Sequence, residues 1–387
     1  MDRVGTPPQG ATTAAEPVRP RDDEIVVRPL GPGEARELAT VMRRSFGGLA
    51  GMMFTAGKAA FVAERGGRIV GGVTLGVFRI DAARLGGVVK WLFTLPEARG
   101  HGVASALVDR ALAWFDEQAV TDAVACVEAL NAGSSNRFAR RGFAPRGFVE
   151  QVRRYGWRLP RVWWHTNHVV DVGHVLWART PDEAPPETRD EATARGTGGL
   201  AATAGLHVVF GVVMLARLGE TIDAAVVAQL AAAVVAIVGV RTAAMAVVGR
   251  AQGLRLRYLP WETGLLLAGA IALVFGGPFV APGAVVPRSR TWSPRALAPA
   301  LARMAVAATA AVLALGWLAW WAVAAGALPG LAAPVLLYAR ILLLADVLLP
   351  FFPMTAFSGR RVLESSPVGW GALAAGTVAL WLVAPGS

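Results

Sequence analysis

The chain has 387 residues, enough for two or more domains, and 54% of them are hydrophobic. Its single cysteine cannot form an internal disulfide, so nothing indicates an oxidising compartment. The formal charge of +11 comes almost wholly from arginine, because lysine occurs only at Lys58 and Lys90. Since long apolar stretches accompany this charge, we expect a lipid bilayer as a partner and no nucleic acid.

The first part of the chain has the pattern of a mixed α/β domain. Met1–Asp23 is rich in Pro, Ala, Thr and charged residues, which predicts a disordered leader and not a signal peptide. Ile25–Pro29 alternates like a first strand, and a helix is predicted over Glu34–Phe46. Ala60–Glu64 and Arg68–Ile80 predict two further strands joined by a glycine turn.

The next elements continue in the same manner. The patterns predict a strand, a helix, a strand, a short helix and a closing strand region, in that order, over Gly86–Thr94, Ala104–Gln118, Ala123–Leu130, Ser134–Arg141 and Phe148–Trp157. The single Cys126 falls in an apolar strand, where we expect it to pack and not to act as a nucleophile.

A glycine turn connects a strand directly to a helix at Arg99-Gly100-His101-Gly102-Val103-Ala104. The first N–H groups of such a helix have no intrahelical acceptor and lie at the positive end of the helix dipole. Because glycine has no Cβ, a phosphate can approach this backbone closely, and Arg99 adds a positive charge. The sequence therefore predicts an anion-binding loop.

Two motifs resemble a known family. The spacing Arg-x-x-Gly-x-Ala at residues 99–104, preceded by Pro96-Glu97, resembles the acyl-CoA pyrophosphate loop of the GNAT superfamily of N-acetyltransferases. A second motif runs from Asn131 through Ser134 and Phe138 to Gly142-Phe143, and it resembles the Asn, short helix and Gly-Phe of that family. The resemblance covers roughly Ile25–Leu159 and implies a mixed central sheet with flanking helices.

The resemblance also implies roles for individual residues. The pantetheine arm of acetyl-CoA is expected against main-chain groups of the strand before the loop, and the backbone N–H of Phe93 is the candidate that polarises the thioester carbonyl. The expected acetyl-CoA contacts are Leu92, Phe93, Thr94, Arg99, Gly100, His101, Gly102, Val103, Ala104, Asn131 and Ser134.

Acid–base residues are less evident. Family members often use a Tyr as the general acid that protonates the leaving thiolate, and Phe138 stands at that position. The proton must therefore come from bound water, Ser134 or Ser135, or the step has no general acid. Glu97 is a candidate base, although its position favours a solvated residue. We expect the acceptor, a primary amine, to bind loops around Gly47–Gly57 and Asp81–Gly87.

The stretch Arg161–Arg179 contains three tryptophans together with His165, His168, Asp171 and His174. Helical steps of three residues fan such side chains around the axis, so we expect no metal site there. A tryptophan-rich juxtamembrane connector, followed by a linker over Thr180–Gly198, is the alternative that we prefer.

From residue 199 onward the chain predicts an all-α polytopic membrane domain. The candidate segments are Gly199–Ala216, Ile222–Val248, Gly264–Val286, Ala298–Ala325, Leu331–Leu349 and Val368–Val383. Six simple crossings would place several arginines outside, whereas a re-entrant hairpin over Gly264–Val286, turning at Gly276-Gly277-Pro278, keeps them inside. Arg340 and Asp346 lie within these segments, either as a functional site or as structural charges.

A second resemblance concerns this membrane half. Leu348–Pro353 followed by Ser358–Leu363 resembles the C-terminal signature of the site-2 protease family of intramembrane metalloproteases. However, Arg241, Thr242 and Met245 stand where that family needs two His and a Glu, and Thr355 or Ser358 stands where it needs an Asp. The resemblance therefore implies a metal-free relative that is not a protease.

These patterns predict a leader (1–23), an acyl-CoA-binding domain (24–160), a connector and linker (161–198) and a membrane domain (199–387). The predicted function is acetyl-CoA-dependent N-acetyl transfer at the inner cell membrane, with the N-terminal domain in the cytoplasm. The alternative is a catalytically weak acyl-CoA sensor coupled to a protease-like membrane domain.

Overall fold

The computed structural model describes residues 24–46, 54, 56–57, 59–128, 131–168, 174–180, 196–288, 294–349 and 357–383. The predicted leader at 1–23 and most of the predicted linker, 181–195, lie outside these ranges. The chain divides into two compact units, one of residues 1–74 and 91–110 and the other of residues 75–90 and 111–387.

Seven strands form one sheet in the order β1-β2-β3-β4-β5-β7-β6. β1 pairs antiparallel with β2, β4 pairs parallel with β5, and β5 and β6 each pair antiparallel with β7. This arrangement confirms the predicted mixed sheet. The strands are β1 (Val26–Pro29), β2 (Ala59–Arg65), β3 (Arg68–Arg79), β4 (Leu85–Thr94), β5 (Asp122–Glu128), β6 (Ala144–Pro145) and β7 (His174–Arg179).

In the first unit, helix α1 (Ala35–Phe46) buries Leu38, Val41 and Met42, which lie on one helical face. Helix α2 (Val103–Glu117) follows β4 and a short 3-10 turn, and it buries Val103 and Leu107 near its start. The predicted acceptor loop at 47–57 is described only at residues 54, 56 and 57.

In the second unit, the closing strand predicted over Phe148–Trp157 is wrong. Residues Phe148–Tyr155 form a helix, α4, which follows α3 (Ala132–Ala139) and β6. Glu150 accepts a hydrogen bond from the N–H of Gly147, and Arg153 and Arg154 occupy the last turn, so the charges complement the helix dipole. The strand that completes the sheet is β7, and the sheet therefore extends to Arg179, beyond the boundary expected at residue 160.

The tryptophan-rich stretch also differs from the prediction. Helix α5 (Leu159–His165) and β7 occupy it, and Trp163 and Trp177 are buried in the protein core, not positioned as interfacial anchors. Only Trp164 of the three is exposed. Burial of the large apolar rings beneath the sheet outweighs the preference of tryptophan for an interface, because it removes more apolar surface from water.

In the described residues from 196 onward, the regular structure of the second unit consists of helices and one two-stranded sheet. Strand β8 (Leu256–Leu259) pairs antiparallel with β9 (Ala284–Pro287). A π-helical turn over Leu344–Leu348 follows α10. The helices are α6 (Gly196–Arg217), α7 (Ala224–Ala251), α8 (Glu262–Phe275), α9 (Pro294–Ala324), α10 (Pro329–Leu343), α11 (Gly359–Ser365) and α12 (Pro367–Val383).

Among the residues that the structure describes, four helices are long and apolar enough to cross a membrane. They are Gly198–Arg217, Ala224–Ala251, Ala296–Ala324 and Pro329–Leu348. The last predicted crossing, α12, has 17 residues and is therefore about 26 Å long, slightly less than the hydrocarbon thickness of about 30 Å.

The segment predicted to be re-entrant starts and ends at the same two-stranded sheet. Helix α8 begins three residues after β8 and ends at Phe275, where Gly276 adopts a left-handed conformation with φ of 62°. The chain then returns to β9, which pairs with β8 from Leu259↔Ala284 to Leu256↔Pro287. The helix thus occupies only the first half of the predicted hairpin, and the two ends of the hairpin are adjacent.

Candidate acyl-CoA-binding site and buried polar clusters

The loop predicted to bind an anion lies between β4 and α2. Pro96–Ala98 form a single 3-10 turn, and Gly100 and Gly102 follow with φ of 88° and 85°. Residues with a Cβ rarely adopt this left-handed conformation, so both positions require glycine. A Cβ added at either position would meet nothing within 4 Å, and the face of the loop that the glycines present is therefore open.

The first amides of α2 lie next to this loop and have no intrahelical acceptors. The earliest hydrogen bonds of the helix run from the N–H of Ser105 and of Ala106 to the carbonyl oxygen of Gly102, at 2.9 and 3.0 Å. Val103 and Ala104 therefore occupy the first turn, where N–H groups have no partner within the helix. Together with the helix dipole, this is the arrangement that binds phosphate groups.

Two exposed side chains flank the loop. The guanidinium of Arg99 donates to the carbonyl oxygens of Ser45 at 3.3 Å and Thr94 at 3.5 Å, and these bonds hold its charge beside the turn. His101 is exposed, and its Nδ1 lies 3.2 Å from the carbonyl oxygen of Arg99. Both side chains belong to the same unit as the open amides, so the structure brings these predicted residues together.

The end of β4 supplies the predicted contacts for the acyl arm. Phe93 is buried, and its ring meets that of Phe54 edge to face with 5.6 Å between centroids. Leu92 is half-buried. Within the described residues, the hydroxyl oxygen of Thr94 is buried without a hydrogen-bond partner. An unsatisfied buried hydroxyl is costly, and a polar ligand atom beside β4 would satisfy it.

Glu97, the predicted base, forms a surface ion pair. Its Oε1 accepts from Arg44 at 2.7 Å, and both side chains are more than half exposed. This pairing agrees with the expectation that Glu97 is a solvated residue, and exposed pairs of this kind contribute roughly 0–1 kcal/mol.

The second predicted motif belongs to the second unit. The side-chain oxygen of Asn131 accepts from the N–H of Ser134 at 3.1 Å and caps helix α3. Phe138 is 3% exposed and packs edge-on against Phe143, with 5.1 Å between centroids. The phenyl ring at this position is therefore part of the hydrophobic core.

Sequence reasoning missed a carboxylate at the end of β5. Glu128 lies opposite His174 in the β5–β7 ladder. Burial raises the pKa of Glu128, although the positive charges of His174 and Arg360 oppose the shift. Glu128 thus belongs to a group of charged residues contributed by β5, β7 and α11.

The two charges expected within the membrane half are both buried. Asp346 does not meet Arg340: its Oδ1 accepts from Arg241 at 3.2 Å and from the N–H of Ser358 at 2.6 Å, and its Oδ2 accepts from Thr309 at 3.0 Å. Arg241 also donates to Ser358 Oγ at 3.2 Å and to the carbonyl oxygen of Gly283 at 3.1 Å. The pair links α7, α9, the π turn and the start of α11.

Arg340 has a different environment. Its guanidinium lies over the ring of Trp381, 4.1 Å from the centroid, and donates to the carbonyl oxygen of that residue at 3.4 Å. Asp346 and Arg340 therefore each have structural partners.

The histidines of the tryptophan-rich stretch do not converge on one point. His165 stacks on Phe78 with 4.7 Å between ring centroids, His168 is buried, and Asp171 lies outside the described residues. Across the described ranges no cluster of three or more His, Cys, Asp or Glu side chains could hold a metal ion.

One region of the chain matches a known protein family. Residues 35–143 match the model of the acetyltransferase (GNAT) family. This range includes α1, the open loop and the second motif up to Phe143. No curated protein matches the chain. The comparisons give no evidence for the metalloprotease resemblance of the membrane half.

Several solved structures are similar to part of the chain. N-acetylglutamate synthase from Neisseria gonorrhoeae, complexed with coenzyme A and N-acetyl-glutamate, is 16% identical over 41% of this chain and 36% of its own, with a TM-score of 0.31. The chain thus spans about a third of that enzyme. Naa50 from Arabidopsis thaliana with a bisubstrate analogue is 12% identical over 40% of this chain and 98% of its own (TM-score 0.31). A GNAT family acetyltransferase from Brucella melitensis with acetyl-CoA is 20% identical over 32% and 84% (TM-score 0.27).

Proposed function

We propose, on the premise that residues 35–143 form an acetyltransferase domain of the GNAT family, that the chain is an acetyl-CoA-dependent N-acetyltransferase tethered to a membrane. The open turn at Gly100 and Gly102 is the observation that carries this proposal. In it, the amides of residues 100–104 bind the diphosphate of acetyl-CoA, and Arg99 and His101 add charge and polarity at the edge.

The acyl arm is proposed to lie along the end of β4. Main-chain groups of Leu92, Phe93 and Thr94 bind the pantetheine, and the buried hydroxyl of Thr94 gains the partner that it lacks. The backbone N–H of Phe93 donates to the thioester carbonyl and stabilises the negative charge that develops there. Asn131 and Ser134 are assigned to the pantetheine side as well.

The chemical step is direct attack of a primary amine on the thioester carbon. The C–N bond forms, the C–S bond breaks, the thiolate of coenzyme A departs, and the amine loses a proton. Glu97, the candidate base, pairs with Arg44 at the surface, so we propose that the amine reacts in its unprotonated form and that water takes the proton which it loses. Phe138 has no proton to give, so the leaving thiolate departs without a side-chain acid at that position, and positioning carries most of the rate enhancement.

Membrane tethering is supported by the four long apolar helices. The segment between β8 and β9 starts and ends at the same two-stranded sheet, so it does not cross the membrane. This favours five crossings with one re-entrant segment. This topology gathers Arg250, Arg255 and Arg288 at one end of the helices, which the positive-inside bias assigns to the cytoplasm of the inner membrane.

The test is amine-dependent release of coenzyme A by the full chain in lipid nanodiscs. Acetyl-CoA is supplied with soluble, peptidyl and lipid-linked primary amines, and free thiol is measured with acetylated product by mass spectrometry. The proposal predicts turnover with at least one amine class, loss of turnover in Gly102→Glu and retention in Gly33→Glu. Tight acetyl-CoA binding without turnover for any amine would instead indicate an acyl-CoA sensor, which the buried phenyl ring of Phe138 favours.

A further inference from the structure

A line of polar side chains connects β5 to the first turn of α8. His168, which is 1% exposed, lies between two partners: its Nδ1 is 3.6 Å from the Sγ of Cys126, and its Nε2 is 3.4 Å from the Oε2 of Glu262. Sulfur forms longer hydrogen bonds than oxygen does, so both distances are within contact range. The three residues come from β5, the turn after α5 and α8, and no part of the acyl-CoA loop contributes.

The carboxylate end of this line is fixed by its own partners. Gln151 donates one amide hydrogen to Glu262 Oε2 at 2.8 Å and another to the carbonyl oxygen of Arg146 at 2.9 Å, while its Oε1 accepts from the indole N–H of Trp163 at 2.7 Å. Every polar atom of the Gln151 amide is thereby used, and Glu262 is held in one orientation.

This geometry determines which ring nitrogen carries the proton. A carboxylate can only accept, so the Nε2 that faces Glu262 carries a hydrogen, and the Nδ1 of the neutral ring then presents its lone pair to the thiol of Cys126. A nucleophile, a base and a carboxylate that orients the base form the arrangement that activates thiols and hydroxyls in covalent catalysis. Burial disfavours the charged ring, but contact with Cys126 and Glu262 outweighs burial and raises the pKa of His168 to about 10, so a ring that has taken the thiol proton keeps it at neutral pH.

The cysteine is more exposed than its base. Cys126 is half-buried, and it is the first residue of β5 beyond the parallel ladder with β4, which ends at Val89↔Ala125. Partly exposed thiols beside a positive group are the reactive ones in proteins. A thiol that served only to fill the core would need neither a buried base nor an oriented carboxylate.

We propose that Cys126, His168 and Glu262 form a nucleophilic site that accepts an acyl group from a thioester. His168 Nδ1 takes the thiol proton, Cys126 Sγ attacks the thioester carbonyl, a new C–S bond forms and the old one breaks. The departing thiolate then takes the proton from His168. The donor thioester thereby becomes a free thiol, and the Cys126 thiol becomes a thioester. Only the use of acetyl-CoA as the donor depends on the proposed function; the nucleophilic site itself does not. Because Glu262 belongs to α8, acylation depends on the packing of the helical region against β5.

The test uses the full chain in nanodiscs and the short thioester S-acetyl-N-acetylcysteamine, which has no diphosphate and does not need the loop. Since Cys126 is the only cysteine, intact mass and peptide mapping report its acetylation directly, and hydroxylamine at neutral pH removes the acetyl group. We expect His168→Gln to slow acetylation roughly 100-fold, the usual size of a general-base effect, and Glu262→Gln to slow it at least tenfold. His165→Gln, a histidine outside this line, keeps the wild-type rate.

Two further measurements make the outcome unambiguous. Alkylation by iodoacetamide at pH 7 needs no variant, and we expect Cys126 to react faster than free glutathione. Gly102→Glu loses acetylation by acetyl-CoA but keeps acetylation by the short thioester, so failure of the loop and failure of the thiol site are distinguishable. Equal acetylation rates in the wild type and in Glu262→Gln, or a thiol no faster than glutathione, would overturn the proposal.

Discussion

The role of the open loop can be tested with two glycines that differ only in position. Gly102 and Gly33 share a φ of 85°, a Cβ added at either meets nothing within 4 Å, and both lie in the first unit just before a helix. Glutamate at either site introduces the same strain and the same charge. Only Gly102→Glu places that charge where the diphosphate of acetyl-CoA is expected.

The magnitudes follow from these shared features. A residue with a Cβ in the left-handed region costs of order 1–3 kcal/mol, so both variants should lose a similar amount of stability. A carboxylate about 4 Å from a phosphate charge is repelled by roughly 4 kcal/mol at an effective dielectric constant of about 20, and by half as much at twice that distance. We therefore expect Gly102→Glu to weaken acetyl-CoA binding by about 30-fold or more, since about 1.4 kcal/mol corresponds to a tenfold change.

The assay is isothermal titration of the full chain with acetyl-CoA at fixed salt, with thermal unfolding measured in parallel. Gly33→Glu should bind like the wild type despite its lower stability. If both variants lose acetyl-CoA affinity equally, the loss results from lower stability and not from charge repulsion at the loop. If neither loses affinity, the diphosphate does not bind at residues 100–104 and the reasoning fails.

Three further predictions follow from single residues. Arg99→Ala should weaken acetyl-CoA binding roughly tenfold in the same titration, because one charge-assisted contact is lost, and the difference should shrink as salt is added. Asp346→Asn should lower the free energy of unfolding by about 3–5 kcal/mol, because it removes the carboxylate that pairs with the buried Arg241. The control Glu364→Gln breaks an exposed ion pair and should cost about 0–1 kcal/mol in the same denaturation experiment. Equal losses in the two variants would contradict a structural role for the buried pair. Because the amine must lose its proton before it attacks, kcat/KM should rise with pH towards the pKa of the free amine, and Glu97→Gln should leave this profile unchanged. An acidic limb that disappears in Glu97→Gln would instead identify Glu97 as the base.

The loop was predictable because its signals are local. Two glycines and an arginine between an apolar strand and an amphipathic helix require the same backbone in any compact fold, and Gly100 and Gly102 indeed have positive φ. The end of the domain was not predictable in this way. Phe148–Trp157 is rich in β-branched and aromatic residues, but its fit to the helix dipole and its ion pair from Arg154 to Asp122 at 2.6 Å favour a helix.

The buried polar clusters depend on pairings between distant parts of the sequence. Arg241 and Asp346 are 105 positions apart, and Gln151 and Glu262 are 111 apart. No periodicity or local motif connects such residues, so Asp346 could be identified as a costly charge without its partner being known. For the same reason Cys126 looked like a packing residue until the structure placed His168 beside it.

Hydrogen–deuterium exchange of the backbone amides at residues 100–104 tests the central claim most directly, because those N–H groups are the proposed ligands of the diphosphate. The full chain is compared in nanodiscs with and without saturating coenzyme A. Our account predicts slower exchange in this peptide when coenzyme A is present, and no such change in Gly102→Glu. Protection that appears elsewhere in the chain while these amides exchange at the same rate would contradict it.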